Sequence, residues 1–409
     1  MPNSNSVNTE QAFKIKLKPG EERRLNAGHL WVFSNEIANV EEGAQAGSLA
    51  VVESASGRLL GTAFYNSSSL IACRMISRQA VAADLDFFRA RLRRAFADRE
   101  RRVGSGAYRL CFGESDGLPG LVIDRYGDHL VTEVLSAGIE RRLDLIREAL
   151  LELYPWKSIQ LKNDHRMRAL EGLPRENRDL LGQTPDRAEI SQDGLKLLVP
   201  LAGGQKTGFY FDQRDNRNIM KPFYPGRTVL DLYCYLGAFA LDAAKAGAEA
   251  ALGIDSSAQA VALARENAAL NDLAADKEGA RVAFEEGDAE EALESFAQGG
   301  QPLKPDMILL DPPSFAPGRK DAPRALRRYA KLNALALQAL PPGGLLATST
   351  CSHHIGREAF VDMLRAAQAR AGRPARLLHL GAQASDHPIL LAMPETEYLH
   401  FALLEVLPA

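Results

Sequence analysis

The sequence predicts a doubly wound α/β domain from about residue 190 onward, preceded by a small β domain and a middle α+β unit. Three observations carry this expectation. Strand-like apolar runs alternate with helical periods through residues 190–409. Short apolar stretches broken by Gly, Asn and Ser fill residues 12–78. An arginine-rich helical stretch stands between these regions. The 409 residues, a formal net charge of -3 and a hydrophobic content of 46% suit a folded protein of two or three domains. No apolar run reaches the roughly 18 to 20 residues of a membrane helix. The start, MPNSNSVNTEQ, lacks the basic and apolar regions of a signal peptide. Cys73, Cys111, Cys234 and Cys351 are widely spaced, without a CxxC pair, so neither a disulfide framework nor a metal site is expected. A cytoplasmic protein is the expectation.

In chain order, residues 1–78 form the β domain, with Trp31-Val32-Phe33, Leu49–Val52, Leu59-Leu60 and Leu70–Cys73 as strand pieces and Pro19-Gly20 and Ser56-Gly57 as turns. Residues 79–107 hold a connecting helix, in which Leu85, Phe88, Leu92 and Phe96 recur at helical spacing. Its arginines dominate a basic surplus: residues 1–103 carry 15 basic and 11 acidic side chains. Such a run is either a solvated helix face or a phosphate-contacting surface, with Arg91, Arg93 and Arg94 as candidate contacts. Residues 108–189 read as the α+β unit, with strands at Tyr108–Phe112, Leu121–Ile123, Leu130–Leu135 and Ser158–Lys162 and a helix over Glu140–Tyr154. In residues 190–409, strands are expected at Thr228–Leu232, Ala250–Ile254, Val282–Glu285, Met307–Leu310, Leu345–Ser349 and Leu377–Leu380. Tyr398–Val406 is expected as an added edge strand.

Ligands of such folds bind beyond the carboxyl ends of the strands, and the residues there point to a cofactor. The stretch after Asp231 holds one glycine at the turn, Gly237, in place of a GxGxxG pattern. A dinucleotide needs the missing glycines for its pyrophosphate, whereas S-adenosylmethionine carries no phosphate. Asp255 ends the next strand and is placed to accept from ribose hydroxyls, and Asp288 follows the third, within reach of an adenine amino group. Each aspartate by itself is as well read as a helix N-cap.

The fourth strand ends in Asp311-Pro312-Pro313-Ser314-Phe315. Two prolines stiffen that loop, which suits a flat base whose edge Asp311 reads and on which Phe315 or Tyr329 stacks. The fifth ends in Cys351-Ser352-His353-His354, before a helix expected from about Gly356, whose N-terminus would favour the thiolate. A thiolate beside a methyl donor suggests methylation at carbon 5 of a pyrimidine, where addition of Cys351 to carbon 6 makes carbon 5 nucleophilic. Asp311 would then assist at the base's N3 or amino edge, and the base that removes the carbon-5 proton is unassigned.

At these residues the chain resembles the ribosomal RNA large subunit methyltransferase I family, S-adenosylmethionine-dependent 5-methylcytosine enzymes of 23S rRNA. The resemblance runs through Leu17-Lys18-Pro19-Gly20, His29–Phe33, Gly113–Gly120, Gln205–Arg217, Asp311-Pro312-Pro313, Cys351, Asp386-His387-Pro388 and Pro394-Glu395. It implies a PUA-like β-barrel, a middle α+β domain and a Rossmann-like class I methyltransferase domain. Asp231, Gly237, Asp255, Asp288 and Asp311 would line the cofactor, with Gln213 and Arg214 as further candidates, and Cys351 would be the nucleophile. Pro312, Pro313, Phe315 and Tyr329 would face the base. Ribosomal RNA or a large-subunit assembly intermediate is the implied partner; a homodimer is left open, and no membrane is involved. The chain departs from the family's pattern at Leu236-Gly237-Ala238, at Ser314 and at His353-His354. Many RNA 5-methylcytosine enzymes also carry a second cysteine, used for release, where Ser314 stands. A guanine N-methyltransferase, which needs no thiol, and a non-catalytic RNA-binding factor on the same fold are the alternatives.

Overall fold

The structure, a computed structural model, describes residues 11–202, 207–274 and 281–408. The chain forms two compact units. One comprises the residues up to Ala188 with Pro200–Phe209 and Asp386–Thr396; the other comprises Glu189–Val199, Tyr210–Ser385 and the residues from Glu397 onward.

The first unit opens with β1 (Phe13–Leu17), α1 (Arg23–Asn26), β2 (Trp31–Phe33), β3 (Ile37–Val40), β4 (Ser48–Glu53), β5 (Leu59–Tyr65) and β6 (Ile71–Ser77). These strands form a six-stranded sheet in the order β2-β6-β5-β4-β1-β3, with β1 and β4 parallel. Ile15, Leu17, Val32, Val52, Ala63 and Met75 line its core. Helix α2 (Leu85–Arg102) follows; its N-cap Asp84 accepts from the Phe87 amide at 2.9 Å. Arg99, Arg101 and Arg102 fill the last turn, where cations oppose the negative end of the helix dipole.

A second sheet, β11-β10-β9-β8-β7, is built from β7 (Ala107–Phe112), β8 (Leu121–Tyr126), β9 (His129–Val134), β10 (Ser158–Asn163) and β11 (Glu176–Leu181). The single helix expected over Glu140–Tyr154 is two, α3 (Ala137–Glu140) and α4 (Leu143–Leu151). They part at Arg142, a buried guanidinium that donates to the Gly47 and Gly138 carbonyls and lies over the Phe64 ring. Phe88 and Leu92 of α2, Leu49, Phe64 and Ile76 of the first sheet, and Leu110, Ile123 and Leu161 of the second share one core. Helix α2 is thus a packed element, and this explains its arginines. Arg89 pairs with Glu152 and Asp86, and Arg101 and Arg102 pair with Asp98. Arg91 is half-buried, donates to the Ile76 carbonyl and lies 4.4 Å over Phe87.

Arg99 is 1% exposed and makes a two-pronged contact with Asp116, 2.7 Å on each side, while donating to the Arg109 and Asp386 carbonyls. Removing one partner of such a pair strands a charge where water cannot reach it. Arg99→Ala is expected to cost about 3 to 5 kcal/mol. Trp31 and Trp156 both lie in this unit, so tryptophan fluorescence during urea unfolding reports it; an unchanged midpoint would refute the claim.

The second unit begins with the hairpin of β12 (Arg187–Gln192) and β13 (Leu195–Pro200). Its turn, Asp193-Gly194, has φ of 50° and 95°, the left-handed pair that a two-residue hairpin requires. There follow α5 (Arg214–Met220), β14 (Thr228–Leu232), α6 (Ala238–Lys245), β15 (Ala250–Asp255), α7 (Ala258–Leu270), β16 (Val282–Glu286), α8 (Ala289–Ala297), β17 (Met307–Leu310), α9 (Ala322–Ala339), β18 (Leu345–Thr350), α10 (Arg357–Ala371), β19 (Ala375–Ala382) and β20 (His400–Val406). The seven strands from β14 onward order as β16-β15-β14-β17-β18-β20-β19. Neighbours are parallel except around β20.

The last strand corrects an expectation. β20 is inserted between β18 and β19, and β19 takes the edge. Phe401, Ala402, Leu403 and Leu404 of β20 are all buried, on both faces, as an interior strand demands. Leu377 and Leu378 of β19 are exposed. From β14 the chain runs outward to β15 and β16, then returns to β17 on the other side, which places the crevice of an open sheet beyond β14 and β17.

Candidate active site

Four aspartates and one cysteine come from the strand ends of the second unit. Asp231, 1% exposed, closes β14 from within: its Oδ2 accepts the Ala240 amide at 3.0 Å. The turn that follows is tight, with Tyr233, Tyr235 and Gly237 at φ of 63°, 48° and 79°. Gly237 was expected where the backbone nears a ligand, and its glycine has an internal cause. A Cβ there would sit 2.4 Å from the Phe284 ring. Asp255, at the end of β15, accepts from the Tyr235 and Ser257 amides at 2.9 Å each and so pins this turn. Asp288 is the N-cap of α8, accepting from the Glu290 and Glu291 amides.

These carboxylates act on one another. Burial pushes the Asp231 carboxyl well above the usual carboxylate range, and the charges of Asp311 and Asp255 push it further, against the Ala240 amide. A site with mutually repelling carboxylates suits a cation. Among the described residues no group of three or more His, Cys, Asp or Glu is arranged to hold a metal ion.

Asp311 follows β17 directly. Its Oδ1 accepts the Ser349 hydroxyl and, at 3.0 Å, the Gln213 side-chain amide. Asn216 donates to the Gln213 oxygen at 2.7 Å and to the Ala382 carbonyl at 3.1 Å, which turns the nitrogen of Gln213 toward Asp311. The proline loop is tied down by Tyr329, whose hydroxyl donates to the Pro313 carbonyl and accepts from the Phe315 amide. Ser352 Oγ lies 3.1 Å from that hydroxyl and 2.9 Å from Ser314 Oγ. The loops bearing Asp311 and Cys351 are thereby laced together.

Cys351 is half-buried, whereas Cys73, Cys111 and Cys234 are buried. Burial pushes all three of those thiols up, which makes them poor nucleophiles. Helix α10 starts at Arg357 with Gly356 as its N-cap, several residues beyond Cys351, so the thiol does not open that helix. His353 stacks on Tyr398 at 4.9 Å, and the Tyr398 hydroxyl donates to Asp212. His354 is exposed.

The other expected residues are placed as follows. Arg214 is buried in a two-pronged pair with Asp193 of the hairpin turn, at 2.5 and 2.7 Å. Tyr329 is 1% exposed, so its ring packs inside the unit; Phe315 lies 4.8 Å from it and under Arg328 at 4.1 Å. Pro312 is buried and Pro313 exposed. Arg91, Arg93 and Arg94 belong to α2 of the first unit, Arg93 and Arg94 being exposed. Gln205 and Lys206, in the block running to Arg217, lie outside the described residues.

Sequence reasoning missed Tyr210. Burial pushes its phenol up, and the nearby Tyr235, Asp212, Cys351 and Asp311 reinforce the shift, so it stays protonated within electrostatic reach of both Cys351 and Asp311. Its ring meets Tyr235 edge-on at 5.3 Å. The one available signal was its place between Phe209 and Phe211 in the block before the first strand.

Residues 15–78 match the PUA-like domain family, and residues 157–382 match an S-adenosylmethionine-dependent methyltransferase family. The chain is 40% identical to the ribosomal RNA large subunit methyltransferase I of Aeromonas hydrophila, over 94% of this chain and 97% of that one. It is 41% identical to the protein of that name from Shewanella denitrificans, over 95% and 98%. A Streptococcus mutans S-adenosylmethionine-dependent methyltransferase shares the fold, with a TM-score of 0.80 at 24% identity over 96% of this chain and all of that one. A methyltransferase solved with S-adenosylhomocysteine, SMU.776, superposes with a TM-score of 0.82 at 24% identity, covering 96% and 100%.

Proposed function

The chain belongs to the ribosomal RNA large subunit methyltransferase I family, and from that premise we propose that it methylates carbon 5 of a cytosine in 23S ribosomal RNA through a covalent bond from Cys351 to carbon 6. The cofactor is S-adenosylmethionine. The carboxylates of Asp231, Asp255 and Asp311 fit its sulfonium and ribose, since the charges of Asp311 and Asp255 already raise the cost of charge on Asp231. When bound, it supplies an electrophilic methyl group.

The chain's own residues supply the rest. Asp231, Gly237, Asp255 and Asp288 hold the strand-end turns that shape the cofactor site, and Gln213 orients Asp311. Arg214 acts at a distance, through the hairpin turn. Cys351 adds to carbon 6, forming the S–C bond, while Asp311 accepts a hydrogen bond from the cytosine amino edge. Carbon 5 would then take the methyl group, whose bond to the sulfonium breaks, leaving S-adenosylhomocysteine. A base takes the carbon-5 proton, and the electron pair left behind re-forms the double bond between carbons 5 and 6 and expels the thiolate. Pro312 and Pro313 stiffen the wall beside the base, and Phe315, backed by the buried Tyr329, borders it. Arg93 and Arg94 remain proposed phosphate contacts of the first unit, testable through the salt dependence of RNA binding. A cytoplasmic location accords with that substrate.

The observation that carries this reading is the half-buried Cys351 on the loop laced to that of Asp311, with the other three thiols sealed in cores. Nucleoside mass mapping of transcribed 23S rRNA, after incubation with the protein and labelled cofactor, tests it. The expected product is 5-methylcytosine; methylguanine would replace this chemistry with the thiol-free alternative.

A further inference from the structure

The sequence from Arg319 to Lys331 holds six basic residues and one acidic residue. Two of the six are spoken for: Arg328 pairs with Glu290, and Lys331 with Glu290 and Glu294. Arg319, Lys320, Arg324 and Arg327 are exposed, and among the described residues none of the four forms an ion pair. A 3-10 turn over Arg319–Asp321 leads directly into α9. Positions 320, 324 and 327 recur at the three- and four-residue spacing that aligns side chains on one side of a helix.

The place of this face matters as much as its charge. Helix α9 follows the Asp311–Phe315 loop, and its buried side holds that loop through Tyr329, which also reaches Ser352 beside Cys351. The helix that fixes the chemical loops thus turns unpaired cations outward. The run on α2 keeps fewer free cations, although Arg93 and Arg94 are exposed. There Arg89, Arg99, Arg101 and Arg102 are consumed by Glu152, Asp86, Asp116 and Asp98.

We propose that Arg319, Lys320, Arg324 and Arg327 form a phosphate-binding face that holds the RNA strand flanking the target nucleotide. The proposal rests on the RNA methyltransferase reading above. Arg319 to Arg327 spans roughly 12 Å of helical rise, enough to follow a few phosphates of a stacked strand, which advances about 3.4 Å along its axis per phosphate. Because phosphates are met as point charges, lysine can replace arginine there.

The test uses the full chain and transcribed 23S rRNA, with affinity measured over a range of salt concentrations. Replacing all four residues with Ala is expected to lower the slope of log K against log salt by roughly 0.7 for each lost contact, or nearly 3 for the four. Affinity at physiological salt should fall at least about tenfold. Arg319→Lys, Arg324→Lys and Arg327→Lys together should keep the wild-type slope. Calorimetric titration with S-adenosylmethionine should be the same for every variant, showing an intact fold. An unchanged slope in the four-alanine variant overturns the proposal, as does lost affinity at an unchanged slope. A wild-type protein that binds no RNA would remove the RNA reading itself, and that outcome is separate from the other two.

Discussion

Cys351→Ser should stop RNA methylation, slowing it by roughly three orders of magnitude or more. A serine hydroxyl is almost wholly protonated near neutral pH and is a far weaker nucleophile than a thiol. Carbon 5 of the cytosine would then never gain the electron density to attack a methyl group. The exchange is nearly isosteric at a half-buried loop position, so the fold and cofactor affinity should be untouched. Binding of S-adenosylmethionine, measured by calorimetry, provides that control. Undiminished methylation in this variant would end the covalent mechanism. A second readout is independent of rate: wild type should form an SDS-stable complex with RNA containing 5-fluorocytosine, because fluorine cannot leave as the carbon-5 proton does. Cys351→Ser should form none.

Asp311→Asn is expected to lower kcat about 10² to 10⁴-fold. Oδ1 of Asp311 already accepts from Ser349 and Gln213, both of which donate. Asparagine can satisfy those two donors with its oxygen only by turning its NH2 toward the base, where it would meet the amino group of cytosine donor to donor. Turned the other way, it faces Ser349 and Gln213 with a donor. Either arrangement leaves a polar group unmatched beside the substrate. Single-turnover methyl transfer isolates this step from RNA binding. A variant that keeps the wild-type single-turnover rate would remove Asp311 from the chemistry and leave it a structural loop residue.

Where the fold is legible in the sequence, the cause is local. The strands expected at Thr228–Leu232 and Met307–Leu310 coincide with β14 and β17, because short apolar runs between turn residues carry their own boundaries. The arginine helix is legible for the same reason, since Phe88 and Leu92 sit at helical spacing and are buried. The reading of Tyr398–Val406 as an edge failed because nothing local tells a strand which neighbours it will have. Its partners start at Leu345 and Ala375.

The strand-end positions of Asp231, Asp255, Asp311 and Cys351 follow from the sequence alone, and so does the resemblance that names the chemistry. What those side chains touch depends on folding. Gln213 reaches Asp311 across 98 residues, and Ser349 reaches the same carboxylate across 38. Tyr329 proved a buried brace for the proline loop, and Arg214 proved the partner of a hairpin turn. The charge of the molecule shows the same division. Counting residues locates a basic run on α2, but electrostatics depends on distance, and only the folded chain brings Glu152 and Asp116 to those arginines. The cations still facing water without an acidic partner on α9 are a property of the tertiary structure, because pairing is decided by which side chains come within a few ångströms.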